Sequence, residues 1–427
     1  MENLLVENSE LKRIVILGAG FGGFTLAKKL INTNFQVVLI DRNNFHQFQP
    51  LFYQVAMAGL EPSSIVFPLR KAFQKCENVI IRVAEVEGID TDGNKVQTDM
   101  GYISYDYLVI ATGATTNFFG NQEIASNTYG LKSVSEALSI RNNLFNDFEE
   151  ALTTHKYEDR QSLIDIAIVG GGPTGVELAG ALAEMKRYIL PKDYKELDAS
   201  EVDIYLIQAA DKLLPGMSEK SSMKSFDFLT KLGVKIMLNT RVTGIKNGII
   251  ETEDGSTIVA EKVIWAAGIK GDLVDGFAEA VITPRSTLKI NSKLEIIGLD
   301  NVYAIGDIAH CESEEHPRGY PQVAQVAIQM AQYLHKVFTK EYAKDFKYRD
   351  LGSMATIGRN RAVADLPFGR MSGFFAWILW LFVHLASLIG FKNKLFVLIN
   401  WMWNYLTYDQ SLRLIIRPHN KAKNKTT

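Results

Sequence analysis

Residues 13–23 read RIVILGAGFGG, an apolar run of buried-strand length that feeds straight into a glycine loop. In such a loop Gly18 makes a tight turn, Gly20 lets the backbone approach a pyrophosphate, and Gly23 lets the next helix pack closely on the strand. The helix N-terminus then faces the phosphates. The chain continues in keeping with this, with a helix FTLAKKLINTN and a second strand FQVVLID ending at Asp41, 18 residues after Gly23. A carboxylate there can accept hydrogen bonds from ribose hydroxyls. Strand, loop, helix, strand and acid together predict a dinucleotide-binding unit.

The device occurs twice. Residues 165–175, DIAIVGGGPTG, repeat it with Gly170, Gly172 and Gly175, followed by a longer helix, a polar insertion LPKDYKELDASE and a strand VDIYLIQ. Here Gln208 stands where an acid is expected. An amide can still hydrogen-bond a ribose hydroxyl and does not repel a 2′-phosphate, so NADPH stays open beside NADH. A second element repeats too: YDYLVIATG (105–113) and AEKVIWAAG (260–268) are strands ending in small-residue turns. Asp92-Gly93 and Asp254-Gly255 read as hairpin turns. DNVYAIGDIA (300–309) is one more buried strand, ending in Gly306-Asp307, with a helix QVAQVAIQMAQYLHKVF after it.

Composition narrows the function classes. The chain has 427 residues, 46 Lys plus Arg against 48 Asp plus Glu, a net charge of −2 and 2 Cys. That is length for two or three domains, with no global pull toward nucleic acid. Cys76 and Cys311 cannot build a disulfide framework or a four-thiolate zinc site. The stretch MENLLVENSELKR at the start has neither the h-region of a signal peptide nor the Arg-rich pattern of a transit peptide. The loop His310-Cys311-Glu312…His316 fits no common metal-ligand spacing and reads as a surface loop, so no metal is expected. No nucleophile-elbow, Walker A or EF-hand string occurs.

After about residue 365 the character changes. FFAWILWLFVHLASLIG (374–390) is apolar all round, while LFVLINWMWNYLTY (395–408) carries Asn400, Asn404 and Thr407 as one polar stripe. Seventeen residues reach about 25 Å, short of a hydrocarbon core of about 30 Å. Four Trp, the flanking Arg370, Lys392 and Lys394 and a basic tail mark an interfacial anchor. Residues 366–427 hold eight Lys or Arg against Asp409 alone, +7, which leaves −9 on the rest.

Two dinucleotide sites imply electron passage between a flavin and a nicotinamide. The pattern GAGFGG…LID, YDYLVIATGA, GGGPTGVELAG and NVYAIGDIA resembles the two-dinucleotide-binding flavoprotein disulfide reductase superfamily. With no cysteine pair to serve as a redox disulfide, thiol chemistry is unsupported. AQVAIQ (324–329) is similar to the AQxAxQ motif of type II NADH dehydrogenases, the single-subunit NADH:quinone oxidoreductases. FHQFQPLFYQVA, VELAGALAE, PKDYKELD, LLPGMS and FGRMSGFFAWILWLFVHL resemble the same family, so the likeness runs from about 12 to 417.

That resemblance implies an α/β chain with two Rossmann-like dinucleotide-binding domains plus a C-terminal helical membrane-anchoring region. Residues 1–120 and 275–350 would bind FAD, 121–274 NAD(P)H, and 351–427 would serve membrane association and dimerisation. By carry-over, FAD is held by Gly18, Gly20, Gly23, Asp41, Thr112, Gly113, Gly306 and Asp307. Gly170, Gly172 and Gly175 cradle the nicotinamide nucleotide, with Gln208 at its ribose. Gln325 and Gln329, on one helical face, would bond quinone carbonyls, with Ala324 and Ala327 leaving room for the head group. Glu177 would position groups or transfer a proton near nicotinamide and flavin. The expected reaction passes hydride from NADH to FAD and electrons to menaquinone or ubiquinone, without proton pumping. The expected setting is a monotopic homodimer on the cytoplasmic face of a bacterial inner membrane. Sulfide:quinone oxidoreduction and a non-catalytic redox sensor of the same fold are the alternatives.

Overall fold

Strand Lys12–Leu17 is buried from its second residue on, so it needs cover on both faces and neighbours on both edges. It pairs in parallel with Phe35–Asp41 on one side and with Tyr107–Ile110 on the other. Val79–Val83 and Val302–Ala304 complete a five-stranded parallel sheet. Because the chain runs outward both ways from this strand, a crevice opens at its carboxyl end, where the first glycine loop sits. This computed structural model describes residues 6, 9–340, 344–409 and 412–416.

The described chain divides into two units. The first holds residues up to 47, 66–117 and 269–351; the second holds 48–65, 118–268 and 352 onward. Residues 48–65, between the paired strands Phe45–Gln47 and Val66–Pro68, thus belong to the second unit, and so does the C-terminal region. The Asp92-Gly93 and Asp254-Gly255 hairpins form, one in each unit, joining antiparallel strands.

In the second unit Ile166–Val169 is the central strand of a four-stranded parallel sheet, flanked by Ile204–Ile207 and Lys262–Trp265. Ser133 caps the helix Val134–Ala151 by accepting from the Glu136 amide. Such a cap satisfies one of the orphan amides at a helix start, about 1 kcal/mol. An antiparallel sheet of Ser353–Thr356, Ala362–Leu366 and Gly369–Ser372 follows. Asp365 ties it to the start of the helix Glu219–Lys231, accepting from the Ser218 amide at 2.6 Å and the Ser221 hydroxyl at 2.8 Å.

The two apolar C-terminal segments form helices Phe374–Ser387 and Phe391–Thr407. The first is shorter than the 17-residue run suggests, because Leu388 is extended and Gly390 takes φ +84°. Among the described residues, no helix is long and apolar enough to cross a membrane. Trp380 is buried, yet Phe375, Phe382 and Phe391 are 76%, 68% and 81% exposed. The basic tail noted in the sequence lies mostly outside the described residues.

Candidate active site

The first unit builds a dinucleotide cradle. Gly18 has φ +99°, and a Cβ there would lie 2.4 Å from the Ala111 carbonyl oxygen. A Cβ on Gly23 would lie 1.9 Å from the Gly18 oxygen, so only glycine lets helix Phe21–Lys29 start where it does. Gly20 is different, because nothing of the protein lies within 4 Å of its Cβ position. The first and third glycines serve the fold, and the second leaves space for a ligand. Asp41 accepts from the Ala19 and Asn43 amides, each at 2.7 Å. Burial pushes its carboxyl up, and these amides pull it back.

Buried polar atoms without partners surround this loop. The Thr112 hydroxyl is one, beside Gly113 at φ +79°. His46 is another, and residue spacing gave no signal for it. Its Nδ1 lies 2.8 Å from the Ala19 carbonyl, so Nδ1 carries the proton and the buried Nε2 is left as an acceptor. Burial keeps the ring neutral, packed against Phe21 and Phe24. Leaving such atoms unpaired costs roughly 1–3 kcal/mol each, which a polar ligand recovers. A bound FAD fits this set: open glycine, hydroxyl and imidazole donor–acceptor groups, and an acid at the strand end. Gly306 and Asp307 form a short 3-10 turn at the end of strand Val302–Ala304, and Gln322 donates to the Asp307 carbonyl at 2.7 Å.

The second unit repeats the cradle. Gly170 has φ +117° with its Cβ position 2.4 Å from the Ala266 oxygen; that of Gly175 is 1.9 Å from the Gly170 oxygen; that of Gly172 meets nothing. Gln208 Oε1 accepts from the Gly171 amide at 2.9 Å, as Asp41 accepts from Ala19. Its Nε2 points to the Lys212 carbonyl at 3.4 Å.

Gly172 caps the helix Pro173–Tyr188, and Glu177 sits one turn inside it. Rather than meeting solvent at the helix start, Glu177 is buried, and its Oε1 faces the Thr356 amide at 3.4 Å. Burial pushes its carboxyl up to about 8, against the opposing pull of that amide and of the Trp380 indole. The indole N–H itself completes no hydrogen bond. Glu177 borders an apolar cavity of about 630 Å³, walled by Tyr53, Trp377, Trp380, Trp401 and Tyr405. Gln54 fixes one wall by accepting from the Trp401 indole and donating to the Tyr53 hydroxyl, both at 2.8 Å. His384 stacks on Trp380 at 3.9 Å and is held neutral, its pKa lowered by burial to about 4.

Gln325 and Gln329 share a face of helix Ala324–Lys340 in the first unit. Their amides engage the backbone of Arg349–Leu351. Gln329 donates to the Arg349 carbonyl at 2.8 Å and accepts from its amide at 3.0 Å, while Gln325 accepts from the Leu351 amide at 2.9 Å. Ala324 is the first residue of the helix, and Ala327 packs beside Gly306. In the 310–316 loop, His310 Nε2 meets Glu312 at 3.0 Å. Among the described residues no three His, Cys, Asp or Glu cluster in a way that could hold a metal. Cys76 and Cys311 are free, and burial pushes the Cys311 thiol up, away from reactive thiolate.

Residues 12–331 match the pyridine nucleotide-disulphide oxidoreductase family and residues 351–408 the NDH2 C-terminal domain. The chain is 36% identical to a type II NADH:quinone oxidoreductase of Mycobacterium tuberculosis, over 92% of this chain and 88% of that one. It is 30% identical to the Haemophilus influenzae type II NADH:quinone oxidoreductase, over 83% and 87%. Its fold is similar to that of NDH2 from Plasmodium falciparum, solved in complex with NADH, with a TM-score of 0.85 at 22% identity, covering 95% of this chain and all of that one.

Proposed function

Because the chain belongs to the type II NADH:quinone oxidoreductase family, we propose that it oxidises NADH with the help of FAD and reduces a quinone in the apolar cavity beside Glu177. The observation that carries the quinone site is Glu177 itself. It is a carboxyl still protonated near neutral pH, at the wall of an apolar cavity, on the helix that the second glycine loop caps. FAD, when bound, would supply the redox chemistry that couples hydride from NADH to two-electron reduction of the quinone.

The chain's own groups bind, orient and protonate. The open faces at Gly20 and Gly172, each at a helix N-terminus, receive the two pyrophosphates. Asp41, Thr112 and Asp307 would hold FAD, and Gln208 would receive the adenosine ribose of NADH or NADPH. Glu177 gives a proton to a quinone oxygen as charge builds there, and the Trp walls exclude water. Gln325 and Gln329 serve as positioning residues. They latch Arg349–Leu351 within the first unit.

The quinone is a membrane lipid, and the helices lining its cavity are those with exposed Phe and Trp, flanked by Lys392 and Lys394. These support monotopic attachment to a membrane surface, and the reading places the protein on the cytoplasmic face of a bacterial inner membrane as a homodimer that does not pump protons. The sulfide reading needs reactive thiols, and Cys311 is buried with its thiol raised.

The test is anaerobic addition of NADH to the FAD-loaded protein, followed by a soluble quinone. Flavin absorbance should bleach and then return. A flavin that NADH leaves oxidised ends this reading. A flavin that bleaches but is not reoxidised by quinone leaves only the sensor.

A further inference from the structure

The second cradle carries a cation beside the strand end that Gln208 closes. Residues 208–214, QAADKLL, leave strand Ile204–Ile207 and fold back over the glycine loop. The Leu214 amide donates to the Gly171 carbonyl at 2.7 Å, and Leu213 lies so close that a Cβ on Gly171 would meet it at 2.7 Å. Gln208 fastens the same two pieces, accepting from the Gly171 amide and facing the Lys212 carbonyl. From the neighbouring strand the Thr240 amide donates to the Gln208 carbonyl and the Asn239 amide to that of Ala210, each at 3.0 Å. Lys212 is thus fixed by its chain neighbours at the end of the cradle where an adenosine ribose belongs.

The charges around Lys212 are few. Its Nζ meets Glu219 Oε2 at 3.2 Å, with the two side chains 34% and 70% exposed. An ion pair so open to water is worth little. Asp211, beside it in sequence, is exposed, and Arg241, next to Thr240, pairs with Glu253 at 3.4 Å. Glu219 does not depend on Lys212. It is the first residue of helix Glu219–Lys231, capped by Ser218, where a carboxylate meets the positive end of the helix. The ammonium can therefore change partners at small cost.

A ribose held at Gln208 would bring its 2′ substituent to this corner. A 2′-hydroxyl is answered by the neutral amide of Gln208, whereas a 2′-phosphate calls for a cation. A lysine–phosphate bond is charge-assisted and outweighs an exposed carboxylate pair. We propose that Lys212 is the 2′-phosphate partner of the second cradle and that Glu219 competes with the phosphate for it. This rests on that cradle being the nicotinamide-nucleotide site. Gln208 then admits NADPH, Lys212 holds its additional phosphate, and Glu219 sets how weakly. With NADH the ion pair stays as it stands in the structure. Lys212 acts on coenzyme choice alone, and the hydride passed is the same from either coenzyme.

The test titrates the FAD-loaded protein with NAD+ and NADP+, and with 5′-AMP and adenosine 2′,5′-bisphosphate, following protein fluorescence. Each pair differs by one 2′-phosphate. Lys212→Gln should weaken NADP+ binding about tenfold, the loss of one charge-assisted bond, and leave NAD+ within about twofold. Lys212→Arg should keep NADP+ binding. Glu219→Gln should tighten it about threefold, the scale of an exposed ion pair, without changing NAD+. The bisphosphate should follow NADP+ and 5′-AMP should follow NAD+. Equal weakening of both members of a pair in Lys212→Gln assigns the residue to loop structure and overturns the proposal. A Lys212→Gln variant that binds NADP+ as the wild type does also overturns it. Unchanged NADP+ binding in Glu219→Gln overturns the competition. A wild type that binds neither NAD+ nor NADP+ instead removes the second cradle as the nucleotide site.

Discussion

Glu177→Gln separates a buried proton donor from a buried hydrogen-bond partner. The substitution preserves shape and can still face the Thr356 amide. With its pKa at about 8, Glu177 is protonated to about nine-tenths at pH 7 and about one-tenth at pH 9. If the protonated form drives quinone reduction, flavin reoxidation in the wild type falls about tenfold across that interval. The Gln variant should be slow throughout and flat over the same range. The same group sets a stability slope. In the unfolded chain the carboxyl loses its proton near 4.5, while in the folded chain it holds on up to about 8. The folded state binds more protons between these values, so stability falls as pH rises through them and levels off above. Each pKa unit is about 1.4 kcal/mol, so the whole slope is roughly 5 kcal/mol, of which about 3 lies between pH 5.5 and 8.5. Urea unfolding of both proteins at those two pH values, taken as a difference of differences, isolates this one group. Glu177→Gln should gain about 3 kcal/mol on the wild type over that span. An alkaline rate limb that persists in the Gln variant, or a stability difference that does not change with pH, refutes the buried-donor argument.

The glycine loops predict opposite phenotypes for neighbouring positions. Gly172→Ala meets no protein atom, so it should fold, keep FAD and raise the KM for NADH, whereas Gly175→Ala, aimed at the Gly170 oxygen from 1.9 Å, should lower the Tm by several degrees or fail to express. Gln208 leaves the second cradle without a carboxylate, so binding titrations should find NADPH within about a hundredfold of NADH, and Gln208→Glu should widen the gap; a larger native preference for NADH rejects relaxed choice. Truncation after Pro367 removes both exposed apolar helices and should release the protein from anionic vesicles in a flotation assay. Retention on the vesicles would reject the anchor.

Much of this was written locally. The two strand–glycine–helix runs are periodic and punctuated within some thirty residues, and the structure realises both as parallel sheets with the loops at the strand ends. What stayed hidden depended on distant partners. Glu177 reads locally as a carboxylate complementing a helix start, because its burial comes from Thr356 and from the Trp380 helix far along the chain. Four-residue spacing does put Gln325 and Gln329 on one face, but spacing cannot say what lies opposite, and here the backbone of Arg349–Leu351 does. Membership of residues 48–65 in the second unit had no local sign at all.

The comparison of Asp41 with Gln208 separates two duties that the sequence fingerprint merges. Each side chain accepts from the amide that follows the first glycine of its loop, at 2.7 and 2.9 Å. An amide oxygen therefore holds the loop as a carboxylate oxygen does, and loop geometry alone does not demand an acid. The charge at the strand end is then free to answer to the ligand. In the first cradle the position keeps a carboxyl although burial works against its ionisation, a cost that hydrogen bonds from ligand hydroxyls offset. In the second cradle a neutral side chain stands beside the Lys212 carbonyl, and nothing at that position repels a phosphate. A fold requirement would have kept the two positions alike, so their divergence points to two different nucleotides as the selecting partners.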